Sequence, residues 1–362
     1  MPVSMFDSLQ IRNLTIPNRV WVSPMCQYSA VNGLIGEWHR IHLGAFATGG
    51  AGLIFVEATA VVPEGRISVG CPGIWNGTQA ELFRPIVEFA HSMGTKIGIQ
   101  LAHAGRKGST MLPWDDHVIA QDSEGGWTTV APSPVSYKDF PIPHEMSVAE
   151  IAALTQNFAD AAQRAIKIGF DVIELHAAHG YLFHQFMSPL SNYRNDEYGG
   201  DFEGRIRFLR EVTQKVREVI PAEVPLFVRI SASDWVEGGW SIEDSIALAR
   251  ELKSLGVDLM DVSSGGLVHN AKIPAGPGYQ VPFAQAIKSE AGILTSAVGL
   301  ITDAHQAQEI VASGKADAVM LAREMLRNPH WTMAAAEELG IHIPWQLQFE
   351  RARKIAPRPS PQ

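Results

Sequence analysis

Residues 147–175, SVAEIAALTQNFADAAQRAIKIGFDVIEL, contain one complete helix-then-strand unit of the chain. Apolar residues recur with the period of a helix over 148–167, and Ser147 followed by Glu150 is a capping box at its start. Gly169 stands where such a helix ends, and residues 171–175 form the short apolar run typical of a strand covered on both faces. This order predicts a parallel sheet, because helical connections join parallel strands.

Strand and helix alternate in this way eight times along the chain. The predicted strands are Arg19–Ser23, Gly52–Ala58, Lys96–Ala102, Asp171–Leu175, Leu226–Ser231, Leu259–Ser263, Ile293–Ala297 and Ala318–Leu321. The predicted helices are 37–48, 79–93, 148–167, 201–218, 241–254, 281–289, 302–312 and 329–338, the last capped by Asn328 with Pro329 at its first position. Eight repeats predict an α/β fold, a closed (β/α)8 TIM barrel, since an open doubly wound sheet usually has about six strands.

Three connections are longer than the usual loop between a strand and its helix: 103–147, 176–200 and 264–280. All three follow strands, so we expect them on the carboxyl-end rim, where barrel enzymes place their active sites. The barrel domain is predicted to occupy residues 1–350, and the Pro-rich residues 351–362 are predicted to be a C-terminal tail.

Composition excludes several classes of protein. The 29 Lys and Arg against 38 Asp and Glu leave a net charge of −9, which argues against a nucleic-acid binder or a protein that binds anionic membranes. No long apolar span or leader-like start is found, so a cytoplasmic protein is expected. Cys26 and Cys71 are the two cysteines, too few for a disulfide framework. Cys71, in a predicted loop, is interpreted as a buried small hydrophobe or an inert thiol.

Polar residues cluster at the predicted strand ends. Cys26 and Tyr28 follow the first strand, Gln100 ends the third, and His176, His179 and Tyr181 follow the fourth. Arg229 lies within the fifth strand, and a buried guanidinium requires an anionic partner or an anionic ligand. Glu174 is its candidate carboxylate partner within the protein.

The ends of the last two strands predict a phosphate site. In these barrels the loops after the seventh and eighth strands often bind phosphate through backbone N–H groups. Val298-Gly299 and Ala322-Arg323 stand there, combining small residues with one cation.

Several segments together resemble one known family. They are SPMCQYS (23–29), QLAHAGRK (100–107), ELHAAHGYLFHQFMSPLSNYRNDEYGG (174–200), FVRISASD (227–234), DVSSGG (261–266) and SAVGLIT (296–302). They are similar to the Old Yellow Enzyme family of FMN-dependent ene-reductases, in particular to its shorter bacterial branch with Cys beside the flavin. The resemblance runs in order through residues 5–351. The chain has Ala322 where the family usually has glycine, and Gly204 where it usually has asparagine.

The resemblance implies an FMN site. Arg229 would stabilise the negative charge of the reduced ring, and Cys26 would tune the ring's potential without covalent catalysis. The cofactor-binding positions it implies are Ser23, Pro24, Met25, Cys26, Ala58, Gln100, Arg229, Val298, Gly299, Ala322 and Arg323.

The same resemblance implies a reaction. His176 and His179 would bind the carbonyl or nitro oxygen of an activated alkene, flavin N5 would deliver hydride to the β-carbon, and Tyr181 would protonate the α-carbon. Tyr28 would line the substrate site. NADPH or NADH would reduce the flavin first, in ping-pong order, which is consistent with the absence of a G-x-G-x-x-G motif. A homodimer or homotetramer is expected, with Arg351 reaching a neighbouring subunit's site.

Other functions fit parts of the sequence. A metal-dependent barrel hydrolase would use His176 and His179 as ligands with Glu57 or Glu174, and a glycosidase would pair the same two glutamates. A binding or scaffold role would leave the cluster of polar residues at one rim without a purpose. Three further residues, His103, Lys107 and His184, are interpreted as structural or supporting.

Overall fold

The computed structural model describes residues 2–353 and places twelve strands in that range. In chain order they are β1 (Leu9–Ile11), β2 (Leu14–Ile16), β3 (Val20–Val22), β4 (Leu53–Ala60), β5 (Lys96–Ala102), β6 (Val130–Ala131), β7 (His144–Glu145), β8 (Val172–Ala177), β9 (Leu226–Ser231), β10 (Leu259–Ser263), β11 (Leu294–Ala297) and β12 (Ala318–Leu321). Eight of them close into a parallel barrel in the order β3-β4-β5-β8-β9-β10-β11-β12. The predicted (β/α)8 TIM barrel is therefore confirmed.

Helices surround the barrel. They are α1 (Glu37–Thr48), α2 (Gly77–Ser92), α3 (Val148–Ile168), α4 (Leu182–Met187), α5 (Phe202–Val219), α6 (Ile242–Ser254), α7 (Val281–Ala291), α8 (Ala304–Ala312), α9 (Arg323–Arg327) and α10 (Trp331–Glu338). None of the helices in the described part of the chain is both long and apolar enough to cross a membrane.

Helix α3 shows how local sequence sets the boundaries. The Ser147 N–H donates to Oε2 of Glu150 at 2.7 Å, which satisfies a backbone donor at the helix start. At the other end Gly169 adopts φ 106°, a left-handed conformation that glycine takes without steric cost. The predicted capping box and helix end are both present.

The strand predictions are correct to within two residues at each end. One difference matters for the site: β8 continues to Ala177, so His176 lies in the strand and not after it. The expected cap at Asn328 is wrong, because the short helix α9 ends there and α10 begins only at Trp331. The short helices and the two small sheets, β1-β2 and β6-β7, were not predicted, since segments this short carry no periodic signal.

The barrel interior changes from apolar to polar along the strands. Trp21, Phe55 and Phe227 pack together at one end, with ring centroids of Trp21 and Phe227 5.9 Å apart. Hairpin β1-β2 packs its apolar residues against this cluster. Because side chains alternate along a strand, Phe227 is followed inside the barrel by Arg229, and further along β9 by Ser231. The polar layers therefore lie toward the carboxyl ends of the strands.

Candidate active site

The middle layer of the barrel interior contains one guanidinium and two carboxyl groups. Arg229 Nε lies 3.0 Å from Oδ2 of Asp261 on the neighbouring strand. The expected partner, Glu174, is not within ion-pair distance of Arg229. It accepts a 2.8 Å hydrogen bond from Gln100, and its Oε2 is buried without a partner. The candidate partner Glu174 therefore does not pair with Arg229, because strand register places Asp261 directly beside the guanidinium.

Burial acts on both acids of this layer. Desolvation raises the pKa of Glu174 and of Asp261, and the positive charge of Arg229 opposes that rise. Glu174 and Asp261 also repel each other, which raises the pKa of Glu174 further. The arrangement holds Arg229 in a fixed position with its charge only partly neutralised.

His176 stands beside Arg229, in register on β8. Its Nδ1 accepts the N–H of Ala178 at 3.3 Å, so the ring proton resides on Nε2. Burial lowers the pKa of His176 well below its usual range, and the charge of Arg229 adds to that effect. His176 is therefore a neutral hydrogen-bond donor.

His179 lies close to His176, with ring centroids 5.2 Å apart. Its backbone is left-handed at φ 59°, a conformation that costs energy in a residue with a Cβ. The Oγ of Ser231 accepts the backbone N–H of His179 at 2.9 Å, and Lys107 Nζ donates to its carbonyl at 2.7 Å. Its Nε2 lies 2.8 Å from Oγ of Ser263. Burial and Arg229 also lower the pKa of His179 well below its usual range.

Tyr181 completes this cluster, with its ring centroid 4.9 Å from that of His176. Burial raises the pKa of Tyr181 well above its usual range, so the phenol stays protonated. Lys107 Nζ lies 5.2 Å from the Tyr181 ring centroid and also donates to the carbonyl of Gly266 at 2.8 Å. Burial lowers the pKa of Lys107 to about 8. Lys107 thus links its own loop to the segments of His179 and Gly266, beside the ring of Tyr181.

His103 and His184 have structural partners. His103 Nδ1 accepts the N–H of Gly105 at 3.0 Å, and His184 Nε2 lies 2.8 Å from a buried oxygen of Asp234. These contacts hold the loops that carry Lys107 and Tyr181. They agree with the structural interpretation of both histidines.

The segment after β3 forms one wall of the site. Residues 24–29 are all half-buried, whereas Ser23 is buried with a hydroxyl that has no partner. Cys26, Tyr28 and Tyr181 pack against a small apolar cluster that includes Ala58 and Cys71. Cys71 is buried as expected, but it is not isolated: its sulfur lies within 4.8 Å of the Cys26 sulfur. The sequence carried no signal for this contact, because the two cysteines belong to separate loops.

A second part of the rim forms a cavity of about 250 Å³ at the ends of β11 and β12. Gly299 has φ 127°, and a Cβ at this position would lie 2.9 Å from Nε2 of the Gln280 side chain, so this position favours glycine. Arg323 forms no ion pair within the described residues, and Arg327 at the edge pairs with Glu324 at 2.8 Å. The cavity is lined by residues that include Val298, Gly299, Ala322 and Arg323. An unpaired guanidinium and a glycine in the lining of the same cavity suit an anionic group such as phosphate.

Arg351 is placed elsewhere. It is exposed in a 3-10 turn, Glu350–Ala352, and no contact joins it to the polar cluster of the same chain. Its role at a neighbouring subunit's site stays a prediction. Most of the predicted tail, residues 354–362, lies outside the described residues.

The alternative functions find little support in the geometry. Among the described residues, the one group of side chains able to share a metal ion is Cys26, Glu57 and Cys71, which includes neither His176 nor His179. The glycosidase hypothesis needs two carboxyl groups that contact a sugar, yet Glu57 is 4% and Glu174 0% exposed.

The comparisons with known proteins agree with one another. The sequence model of the NADH:flavin oxidoreductase / NADH oxidase family matches residues 4–341. An NADPH dehydrogenase of Geobacillus thermodenitrificans is 49% identical, over 97% of this chain and 99% of that protein. An NADPH dehydrogenase of Bacillus subtilis is 46% identical, again over 97% of this chain and 99% of that protein.

Solved structures agree with the sequence comparisons. Morphinone reductase superposes with a TM-score of 0.78 at 28% identity, covering 94% of this chain and 91% of that one. An Old Yellow Enzyme homologue from Zymomonas mobilis has a TM-score of 0.78 at 27% identity and covers 94% of both chains.

Proposed function

This chain belongs to the NADH:flavin oxidoreductase / NADH oxidase family, and on that premise we propose that it reduces activated carbon–carbon double bonds. It is an FMN-dependent NAD(P)H dehydrogenase of the Old Yellow Enzyme type. The proposed acceptors are enones, enals, maleimides and nitroalkenes. The observation that carries the proposal is the pair of neutral imidazoles, His176 and His179, beside the protonated phenol of Tyr181.

The residues at the rim fit FMN. Arg323 forms no ion pair among the described residues and lines one cavity with Gly299, which suits the phosphate, and Arg229 suits the electron-rich edge of the ring. The remaining proposed contacts are those of the wall after β3 and of the strand ends: Ser23, Pro24, Met25, Cys26, Ala58, Gln100, Val298 and Ala322. When bound, FMN supplies the two-electron carrier that links NAD(P)H oxidation to alkene reduction.

His176 and His179 are proposed to bind the oxygen of the carbonyl or nitro group. His176 offers an Nε2–H that has no hydrogen-bond partner among the described residues. The Nε2 of His179 lies 2.8 Å from Oγ of Ser263 and would exchange this contact for one with the substrate oxygen. Because the pKa of each imidazole is lowered, neither becomes an imidazolium, and both stabilise the developing enolate oxygen by hydrogen bonding. Tyr28 lines the same site beside Trp114, with ring centroids 6.1 Å apart.

Tyr181 is proposed to supply the proton to the α-carbon. Its phenol keeps the proton at neutral pH because burial raises its pKa. The ammonium of Lys107 lies over the ring and stabilises the tyrosinate that remains after the transfer. Solvent then returns the proton, since the side chain is only half-buried.

The donor is proposed to be NADPH, or NADH in its place, and to alternate with the alkene at the same part of the rim. The relatives named NADPH dehydrogenase support this choice. We also propose a cytoplasmic homodimer or homotetramer in which Arg351 reaches the neighbouring site.

The visible spectrum of the purified protein is the first test. We expect a yellow protein whose flavin absorbance is bleached by NADPH under anaerobic conditions and restored by cyclohexenone. Restoration by oxygen but not by any activated alkene would contradict the proposed acceptor class. A protein that stays colourless after incubation with FMN would contradict the cofactor assignment.

A further inference from the structure

Two thiols and a carboxyl group meet behind the wall formed by residues 23–29. The sulfurs of Cys26 and Cys71 and a carboxylate oxygen of Glu57 all lie within 4.8 Å of one another. Both cysteines are free thiols. Cys26 is half-buried, whereas Cys71 is 1% exposed and Glu57 4% exposed. The flavin site described above uses only one of these three groups.

The backbone holds the two cysteine segments together. The Ala30 N–H donates to the carbonyl of Gly70 at 2.9 Å, which joins the segment of Cys26 to the loop of Cys71. A Cβ at Gly70 would lie 2.6 Å from the carbonyl oxygen of Tyr28, so only glycine permits this approach. Cys71 is further anchored by its N–H, which donates to the carbonyl of Ser68 at 3.1 Å. The proximity of the sulfurs is therefore built into the fold.

Glu57 is placed to move protons for the thiols. Its Oε2 accepts the N–H of Gln27 at 2.9 Å, and its Oε1 lies 3.3 Å from Nε2 of His39. His39 Nδ1 accepts the N–H of Gly36, so the Nε2 proton faces the carboxylate. Burial raises the pKa of Glu57, which allows this group to accept and return a proton closer to neutral pH than an exposed glutamate can.

We propose that Cys26 and Cys71 form a redox-active dithiol, which a hydroperoxide converts into a disulfide within one chain. Cys26 reacts first, because it is the more exposed of the two. Its hydrogen bond with Cys71 and its burial raise the pKa of the Cys26 thiol, so a base beside it must remove the proton. Its thiolate attacks an oxygen of the peroxide, the O–O bond breaks, and the leaving oxygen takes the proton that Glu57 removed from the thiol. Cys26 becomes a sulfenic acid and the peroxide is released as an alcohol or water.

Cys71 then resolves this intermediate. Its sulfur attacks the sulfur of Cys26, the S–S bond forms, and the departing hydroxide receives the Cys71 proton through Glu57. Two thiols and one hydroperoxide thus yield one disulfide, one alcohol and one water. Since an S–S bond is about 2.0 Å long, the Cys26 sulfur moves toward Cys71 when the disulfide forms. The consequence for the flavin rests on the proposed function, but the thiol chemistry does not.

Thiol titration of the chelator-treated protein after equimolar hydrogen peroxide tests the proposal, with and without FMN. We expect both thiols to be lost together, a mass lower by two hydrogen atoms, a peptide linking Cys26 to Cys71, and full recovery with dithiothreitol. Cys71→Ser should stop at a sulfenic acid on Cys26, trapped by dimedone, and Cys26→Ser should leave Cys71 reduced. Glu57→Gln should slow disulfide formation by about tenfold or more.

Three outcomes would overturn the proposal. They are retention of both thiols in folded protein, a disulfide that joins two chains, and oxidation of Cys26 to sulfinic acid while Cys71 stays reduced. FMN-free protein gives the same readout, so failure of the ene-reductase assignment would not be confused with failure of the dithiol. An FMN affinity that is equal in the reduced and disulfide forms would remove the proposed link between the dithiol and the flavin site.

Discussion

The Nε of Arg229 lies 3.0 Å from Oδ2 of Asp261, and both side chains are buried in the barrel interior. This ion pair is in register with His176 on β8 and lies one inward position below Ser263, at the end of β10. It holds in place the guanidinium that lies beside the neutral histidines.

Asp261→Asn should therefore destabilise the protein. Removing one partner of a buried ion pair leaves an uncompensated charge, so we expect the free energy of unfolding to fall by about 3 kcal/mol in chemical denaturation. Loss of a buried negative charge should also make the reduction potential of bound FMN more positive. Glu203→Gln, which breaks the exposed pair with Arg210, is the control and should change neither quantity. Equal effects of the two variants would argue against the role of Asp261.

The His176→Ala/His179→Ala double variant should separate the two half-reactions. Loss of the donors to the substrate oxygen should slow enone reduction by about 100-fold or more, while FMN binding stays intact. Stopped-flow measurement of flavin reoxidation by cyclohexenone checks this. His305→Ala, at an exposed histidine, is the control. If enone reduction kept the wild-type rate, the substrate role of the pair would be excluded.

Tyr181→Phe should slow protonation of the α-carbon and leave flavin reduction by NADPH unchanged. A positioned general acid contributes about 100-fold or more, so reoxidation by cyclohexenone should slow by that factor. The comparison variant is Tyr193→Phe, at a 61% exposed phenol. Slowing of both half-reactions together would point to a general defect of the site instead of a proton donor.

Arg323→Ala should weaken FMN binding. A desolvated charge-assisted hydrogen bond contributes about 1.5–3 kcal/mol, which corresponds to a rise in Kd of about 10- to 100-fold. Fluorescence titration of the FMN-free protein measures this change. Arg327→Ala serves as the matched control, since that arginine lines the same cavity but pairs with Glu324. A larger effect of Arg327→Ala would place the phosphate elsewhere.

His103 should make the protein sensitive to acid. Burial lowers its pKa to about 3, whereas the unfolded chain titrates near the ordinary value of 6.5. Between these values the unfolded state binds more protons, so stability falls as the pH falls, by about 1.4 kcal/mol per pH unit for this group. The contribution of His103 is fully present above pH 6.5.

Asn at this position can accept the N–H of Gly105 without gaining charge. His103→Asn should therefore reduce the slope of unfolding free energy against pH between pH 4 and pH 6, by about 1.4 kcal/mol per pH unit. The wild-type slope in that window also contains His176 and His179, whose pKa values are lowered in the same direction. An unchanged slope in the variant would mean that His103 is protonated in the folded state.

Much of the fold and part of the site follow from sequence alone. Eight apolar runs separated by helical segments predict a closed barrel. The barrel strands have three to eight residues and are buried on both faces, so their boundaries follow closely from the apolar runs. Period-two alternation placed Glu174 and His176 on one face of β8. The sequence also predicted which residues lie on the rim, because the carboxyl ends of parallel barrel strands lie at one common edge. The family resemblance was confirmed by the match over residues 4–341.

Contacts between distant segments were decided only by the tertiary structure. Arg229 faces Asp261 and not Glu174, because barrel closure sets which residues of adjacent strands lie in register. Cys26 meets Cys71 because backbone hydrogen bonds join two loops that are remote in sequence. Periodicity and local caps act over a few residues and determine the elements, whereas side-chain partners depend on the relative placement of whole elements, which no local pattern specifies.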